Sequence, residues 1–245
     1  MLSSIAEFNA LKSILKASGI SYTEPEALPT IERPTTTAAD VAQAILNSKK
    51  ANPYADPTVQ TVIAEYSVSN AGEIFAAQSK LREQHIIEHA RAQLPDFLEQ
   101  AKAQFDHATQ DLHDAHNTLG NVERLHTIDL NNAPAHITEA VLKATRAITK
   151  IEATIAVWKR VHQLHFRQNS RDSANAYMRG NPPFDMLLRY RKQQVDFTIW
   201  AQQIEGVEFA LVSPNEAQKN YTLAQAEFDR DKRRVPNYLT GKHAN

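Results

Sequence analysis

Two matched stripes of apolar residues constrain the fold of this chain more than any other feature of its sequence. In each stripe, apolar or small residues recur at alternating intervals of four and three, which is the spacing of one face of a coiled-coil helix. The first stripe contains Leu94, Leu98, Ala101, Phe105, Ala108, Leu112, Ala115, Leu119 and Val122. The second contains Ile137, Val141, Ala144, Ile148, Ile151, Ile155, Trp158, His162 and His165.

The equal length of the stripes, with a turn region around Pro134 between them, predicts an antiparallel hairpin within residues 71–180. Folding back at the turn places Ala101 opposite Trp158. The seam of this hairpin is defined by Leu98, Ala101, Phe105, Leu112, Ile148, Ile151, Ile155 and Trp158. We expect Pro95 to kink or restart the first helix, since proline cannot donate a backbone hydrogen bond. The predicted fold class is all-α, a helical bundle with a long antiparallel coiled-coil-like helical hairpin.

The composition agrees with a helical protein that has a core. Apolar residues make up 42% of the chain and only 6 glycines occur, so the turn chemistry that β-sandwiches require is scarce. The absence of cysteine excludes disulfides, thiolate metal sites and cysteine nucleophiles. No stretch is long and uncharged enough for a membrane span, and the N-terminus does not have the pattern of a secretory signal.

Prolines and capping signals divide the chain. A short helix is predicted from the N-cap Ser4 to Ser18, and a proline-rich segment follows it. Residues 1–36 thus form an arm that docks either on the body of the protein or on a neighbour. The capping box that begins at Thr37 opens a body of residues 37–245. C-terminal helices are predicted at 184–204 and at 214–234, the latter after the N-cap Ser213.

Positive charge is concentrated in residues 158–192, which we call the basic segment. Eight lysines or arginines stand there against two aspartates, although the net charge of the chain is −1. The eight residues are Lys159, Arg160, Arg167, Arg171, Arg179, Arg189, Arg191 and Lys192. Aromatic residues interleave with them, a combination that suits nucleic acid. The alternative is pairing with residues 64–114, where nine acidic groups outnumber four basic ones.

Histidines supply the remaining site hypotheses. His85, Glu88 and His89 match the H-x-x-E-H string of the inverzincin peptidases, in which the histidines bind zinc and the glutamate is the base. The alternative interpretation is a polar helix face, because a third ligand is missing and those peptidases have a mixed α/β fold. His162 and His165 occupy seam positions. They are either exposed or hydrogen-bonded where the hairpin splays, or they serve as a ligand or a pH switch.

The leading functional prediction is a structural or protein-interaction component of a larger assembly, without catalysis. Glycine-rich phosphate loops and nucleophile elbows do not occur in the sequence, whereas helical surfaces are plentiful. By analogy of fold alone, such chains occur among phage virion and scaffolding proteins. The first alternative is a nucleic-acid-associated protein that uses the basic segment, and the second is a metal-dependent hydrolase. We expect a homo-oligomer in the cytoplasm or in a virion, with no cofactor and no membrane partner.

Overall fold

A computed structural model describes residues 2–29, 33–169, 171–192 and 198–234, and these residues contain helices and no strand. The α-helices are α1 Ile5–Ser18, α2 Ala38–Asn47, α3 Pro57–Asn70, α4 Gly72–Leu119, α5 Ala135–Phe166, α6 Phe184–Arg191, α7 Ile199–Ile204 and α8 Pro214–Arg234. Short 3₁₀ helices are present at Pro53–Ala55, Leu125–Thr127 and Asp172–Met178. The all-α fold class is therefore confirmed.

The predicted helical hairpin is formed by α4 and α5, which pack together. Their shared cluster contains the seam residues Phe105, Leu112 and Ile151, with Ile148 and Ile155 packed against it. Across the hairpin, Lys143 Nζ on α5 lies 3.1 Å from a carboxylate oxygen of Asp111 on α4 and 2.9 Å from one of Asp114. These ion pairs are partly exposed and contribute little stability, but they match the antiparallel direction of the two helices.

Two details of the hairpin differ from the sequence prediction. Helix α4 continues through Pro95 without a restart, whereas the alternative of a kink at Pro95 stays a prediction. The full burial of Leu94 and Phe97 on either side offsets the missing backbone hydrogen bond. The fully buried residue at this level of α4 is Phe97, whereas the predicted Leu98 is only half-buried. The reason is a neighbour outside the seam: the ring of Phe97 lies 6.3 Å from that of Tyr22.

The chain divides into two compact units, residues 1–22 with 90–245 (unit 1) and residues 23–89 (unit 2). These bounds differ from the predicted arm and body, and the predicted division at residue 36 stays a prediction about domains. Helix α1 packs on α5 within unit 1. Its apolar face is buried through Phe8, Leu11 and Leu15, and Lys150 Nζ donates a 2.7 Å hydrogen bond to the carbonyl oxygen of Ser18.

Local capping signals determine several helix ends. The side chain of Ser4 accepts a hydrogen bond from the backbone of Glu7, and Gly19 ends α1 in the left-handed region at φ 70°. The capping box between Thr37 and Asp40 is present at the start of α2. At the C-terminal end, the predicted helix 184–204 is instead two helices, α6 and α7. Thr198 is extended and caps α7, and residues 193–197 lie outside the described residues.

Small residues allow the two hairpin helices to pack closely, and this can be tested at Ala144, which is fully buried. We expect Ala144→Leu to reduce the free energy of unfolding by about 1–3 kcal/mol, because added methylenes in a packed core force neighbours to move. Ala156→Leu at an exposed position of the same helix is the matched control, with a change within about 0.5 kcal/mol. Urea denaturation followed by circular dichroism measures both. Equal losses would contradict the close packing at Ala144.

Candidate interaction sites

Part of the basic segment lines a cavity of about 390 Å³ in unit 1, which we call the cationic pocket. The pocket is lined by Ile155, Lys159, Ser173, Asn175, Ala176, Arg179, Leu187, Tyr190 and Arg191. Helix α5, the 3₁₀ helix Asp172–Met178 and helix α6 each contribute to it. Three of its nine lining residues are cationic, and none of those described is acidic. The arrangement is therefore suited to an anionic ligand.

The walls of the cationic pocket are positioned by contacts behind it. The indole Nε1 of Trp158 on α5 donates a 2.8 Å hydrogen bond to the carbonyl oxygen of Val212. The backbone amide of Val212 in turn donates to the carbonyl oxygen of Met178 at 3.0 Å, and that of Ala210 donates to Arg179 at 3.3 Å. The segment before α6 is thus tied to the chain that leads into α8. The backbone of Arg179 is held by the hydrogen bond that its carbonyl oxygen accepts from Ala210.

Arg179 is the most enclosed cation of the pocket. Burial lowers the pKa of its guanidinium, and the Glu152 carboxylate acts in the opposite direction. A guanidinium stays charged in proteins, so the shift measures the cost of holding that charge away from water. An anion in the pocket would offset part of this cost. Arg191 is held from the other side, since its guanidinium lies 6.0 Å from the ring centre of Tyr221 on α8.

The other predicted basic residues do not line the cationic pocket. Arg189 forms ion pairs with acidic groups: its Nη2 lies 3.3 Å from a carboxylate oxygen of Glu205 and 4.0 Å from one of Asp185. Arg160 interacts electrostatically with Glu7 on α1. The pKa of the Glu7 carboxyl is lowered mainly by a hydrogen bond from the backbone of Ser3, and the positive charge of Arg160 lowers it further. The remaining three, Arg167, Arg171 and Lys192, are exposed. The ion pairs of Arg189 are formed with residues 185 and 205, outside the acidic region 64–114.

Trp158 belongs to a different cluster from the seam residues Phe105, Leu112 and Ile151. It packs against buried residues that include Tyr177, Phe184 and Leu187, on the side of α5 that faces the cationic pocket. Ala101 is fully buried. The predicted facing of Ala101 and Trp158 stays a prediction, while Phe105 and Ile155 do share a cluster.

The first expectation for His162 is an exposed or hydrogen-bonded imidazole, but among the described residues it is neither. It is 6% exposed, and its ring lies 4.8 Å from that of Trp158 and 5.1 Å from that of Phe166. Neither ring nitrogen has a hydrogen-bond partner among the described residues. Burial lowers the pKa of this imidazole more than the nearby side chain of Gln168 raises it, and His165 lowers it further.

The H-x-x-E-H residues lie on α4 in unit 2. Nε2 of His89 lies 2.9 Å from the carbonyl oxygen of Thr23, which can only accept, so this nitrogen donates a hydrogen bond to the backbone. His85 is half-buried with Nε2 lacking a hydrogen-bond partner, and Glu88 is exposed. Within the described ranges, no group of three or more side chains of the metal-binding types is arranged to hold an ion. The hydrolase alternative stays a prediction that elemental analysis of the protein tests.

Unit 2 buries little apolar surface for its size. Among its described residues, Val59 and Ile87 are the only buried hydrophobic ones, and α2 buries none at all. Large apolar side chains are instead exposed. They are Leu28 at 40%, Leu46 at 78%, Tyr54 at 61%, Val68 at 37%, Ile74 at 54% and Leu81 at 61%. We call these six residues the unit 2 apolar surface.

The fold and these sites place the chain among all-α proteins built on a helical hairpin. Comparisons with family models, with curated proteins and with solved structures found no match for it. None of the described helices combines the length and the apolar character needed to cross a membrane.

Sequence reasoning identified the cations of the pocket but not its polar residues. Ser173 and Asn175 line the pocket from the 3₁₀ helix. They lie in a polar stretch without periodicity, so no pattern in the sequence distinguishes them from ordinary loop residues. Tyr190 is one of several aromatic residues in the basic segment, and the sequence does not distinguish it from the others.

Gly180 allows the chain next to Arg179 to approach the segment before α8. A Cβ at this position would lie 2.7 Å from the carbonyl oxygen of Glu208 and 2.9 Å from a methyl of Val207. We therefore expect Gly180→Ala to lower the free energy of unfolding by about 1–3 kcal/mol. Gly72→Ala is the control, because nothing lies within 4 Å of a Cβ there. A thermal midpoint for Gly180→Ala equal to that of the control would show that the contact is not close.

The buried imidazole of His162 predicts a loss of stability in mild acid. The pKa of His162 is lower in the folded protein than the ordinary value near 6.5. Just below pH 6.5, the unfolded chain therefore binds a proton at this imidazole more readily than the folded chain does. The contribution of neutral His162 to the free energy of unfolding is therefore complete above about pH 6.5, and it decreases as the pH falls toward the pKa of the folded state. We expect His162→Gln to show a smaller loss between pH 7.5 and 5.5 in urea denaturation.

The matched control for this measurement is His107→Gln, since the His107 side chain is 82% exposed. The control variant should keep the pH dependence of the natural protein. An unchanged pH dependence in His162→Gln would show that the buried imidazole does not govern acid stability.

Proposed function

We propose that the protein is a structural component that assembles with further copies of itself through the unit 2 apolar surface. The observation that carries this proposal is the imbalance within unit 2, which exposes six large apolar side chains and buries two hydrophobic residues among those described. Burial of these exposed apolar groups against another chain would release ordered water and so favour association.

The small core of unit 2 limits the stability that this unit gains on folding. Burial of apolar surface contributes roughly 25 cal/mol per Å², and ordering each backbone residue costs about 1–2 kcal/mol. A region with so few buried side chains gains little to offset that cost. Contact with another chain would supply the missing burial, and a symmetric assembly of identical chains is the commonest way to supply it. We propose a structural role for the chain and no catalysis.

Size-exclusion chromatography with light scattering over a range of protein concentrations tests the proposal. The natural protein should be larger than its 27.5 kDa monomer. Leu46→Glu and Leu81→Glu should shift the mass toward the monomer, since each places a charge on the unit 2 apolar surface. Leu142→Glu is the control, because Leu142 is 45% exposed on α5 in unit 1. A natural protein that stays monomeric at every concentration would refute self-assembly.

The salt dependence of the measured mass shows which surfaces meet. Unit 2 carries nine acidic and five basic residues, so contact between two copies of unit 2 is strengthened when salt screens their repulsion. Contact with the basic segment of another copy is weakened by salt instead.

Association with nucleic acid is the second candidate function. It is favoured by the convergence of Lys159, Arg179 and Arg191 on one pocket without an acidic lining residue among those described. The 260/280 nm absorbance ratio of the purified protein gives a first indication, because carried nucleic acid raises it.

A further inference from the structure

The cationic pocket combines two kinds of lining that a single ligand class would use together. Lys159, Arg179 and Arg191 provide positive charge. Ile155, Ala176 and Leu187 provide apolar surface, and Tyr190 is 48% exposed. Inorganic phosphate would engage only the cations, and an uncharged aromatic compound only the remainder. A phosphorylated aromatic ligand engages both.

We propose that the cationic pocket binds a nucleoside phosphate, with the phosphate at Lys159 and Arg191 and the base against Tyr190. The cavity of about 390 Å³ is of the size of small-ligand sites, which are roughly 300–1,000 Å³. Stacking of a base on an aromatic ring tolerates any base. The nucleotide is either free or one residue of a single strand, since both present the same phosphate and base.

Hydrogen-bonding groups for the sugar are also present in the pocket. Ser173 has a hydroxyl that can donate and accept, and the polar residue Asn175 also lines the pocket. Both lie in the 3₁₀ helix. Of the cations, Lys159 lies on α5, Arg179 directly follows the 3₁₀ helix, and Arg191 lies on α6. A ligand that fills the pocket would therefore contact three successive parts of the chain.

Isothermal titration calorimetry with AMP, inorganic phosphate and adenosine on the full chain tests the proposal. AMP should bind more tightly than phosphate, and adenosine should not bind measurably. Lys159→Gln and Arg191→Gln should each weaken AMP binding about tenfold or more, because each removes a charge-assisted contact to the phosphate. Tyr190→Ala should weaken AMP binding and leave phosphate binding unchanged.

Arg189→Gln is the matched control. Arg189 is on the same helix as Arg191, does not line the pocket, and pairs with Glu205 and Asp185. This variant should bind AMP as the natural protein does, and circular dichroism shows that every variant is folded. Equal loss in Arg189→Gln and Arg191→Gln would overturn the proposal, because general charge would then explain the binding. Equal affinity for AMP and phosphate would overturn the role of Tyr190.

A short oligoadenylate distinguishes the two sources of the nucleotide. If the strand binds more tightly than AMP and Arg191→Gln weakens it, the pocket holds one residue of a strand. If AMP binds at least as tightly as the strand, the ligand is the free nucleotide. Failure of AMP, phosphate and the strand alike to bind the natural protein would refute the site. This result is independent of self-assembly, which is measured by mass and depends on residues of unit 2.

Discussion

Close packing of alanines between α4 and α5 is the constraint on which the rest of unit 1 depends. Along the α4 seam, Ala101, Ala108 and Ala115 alternate with larger residues, and all three are buried. Alternation of small and large side chains allows two helices to approach and to interdigitate. Ala144 and Ile151 on α5 lie in one cluster with Ala108 and Ala115. Because this contact fixes α5 along one side, the opposite side of α5 is available to organise other elements.

That opposite side explains where the cationic pocket forms. Beyond Ile155, α5 faces the 3₁₀ helix Asp172–Met178 and α6, and Trp158 packs against the cluster of Tyr177, Phe184 and Leu187. The indole hydrogen bond to Val212 connects α5 to the chain before α8. Lys159 follows one residue later and lines the pocket. A helix that serves as half of the hairpin at its start thus serves as a wall of a binding site at its end.

Much of the fold was predictable because its signals are local or periodic. The heptad spacing predicted the hairpin, and the caps at Ser4, Thr37 and Ser213 predicted helix starts, since each depends on residues within one turn. Burial of Phe97 instead of Leu98 was not predictable, because it depends on Tyr22, far away in the sequence. The same holds for the pocket. Charge density indicated the basic segment, but only tertiary structure separates Arg191, which lines the pocket, from Arg189, which pairs with Glu205.

The two units differ in how much of their apolar surface is buried, and this difference bears on both proposals. Unit 1 buries the rows of alanines, leucines and aromatics that hold its helices in place, so it can support a pocket of fixed shape. Unit 2 buries few such side chains, and its contacts include helix caps and the hydrogen bonds from the Arg33 guanidinium to the carbonyl oxygen of Ser69. Such contacts specify local geometry but contribute little net stability. A pre-formed site is therefore expected in unit 1, and a surface that gains stability from a partner is expected in unit 2.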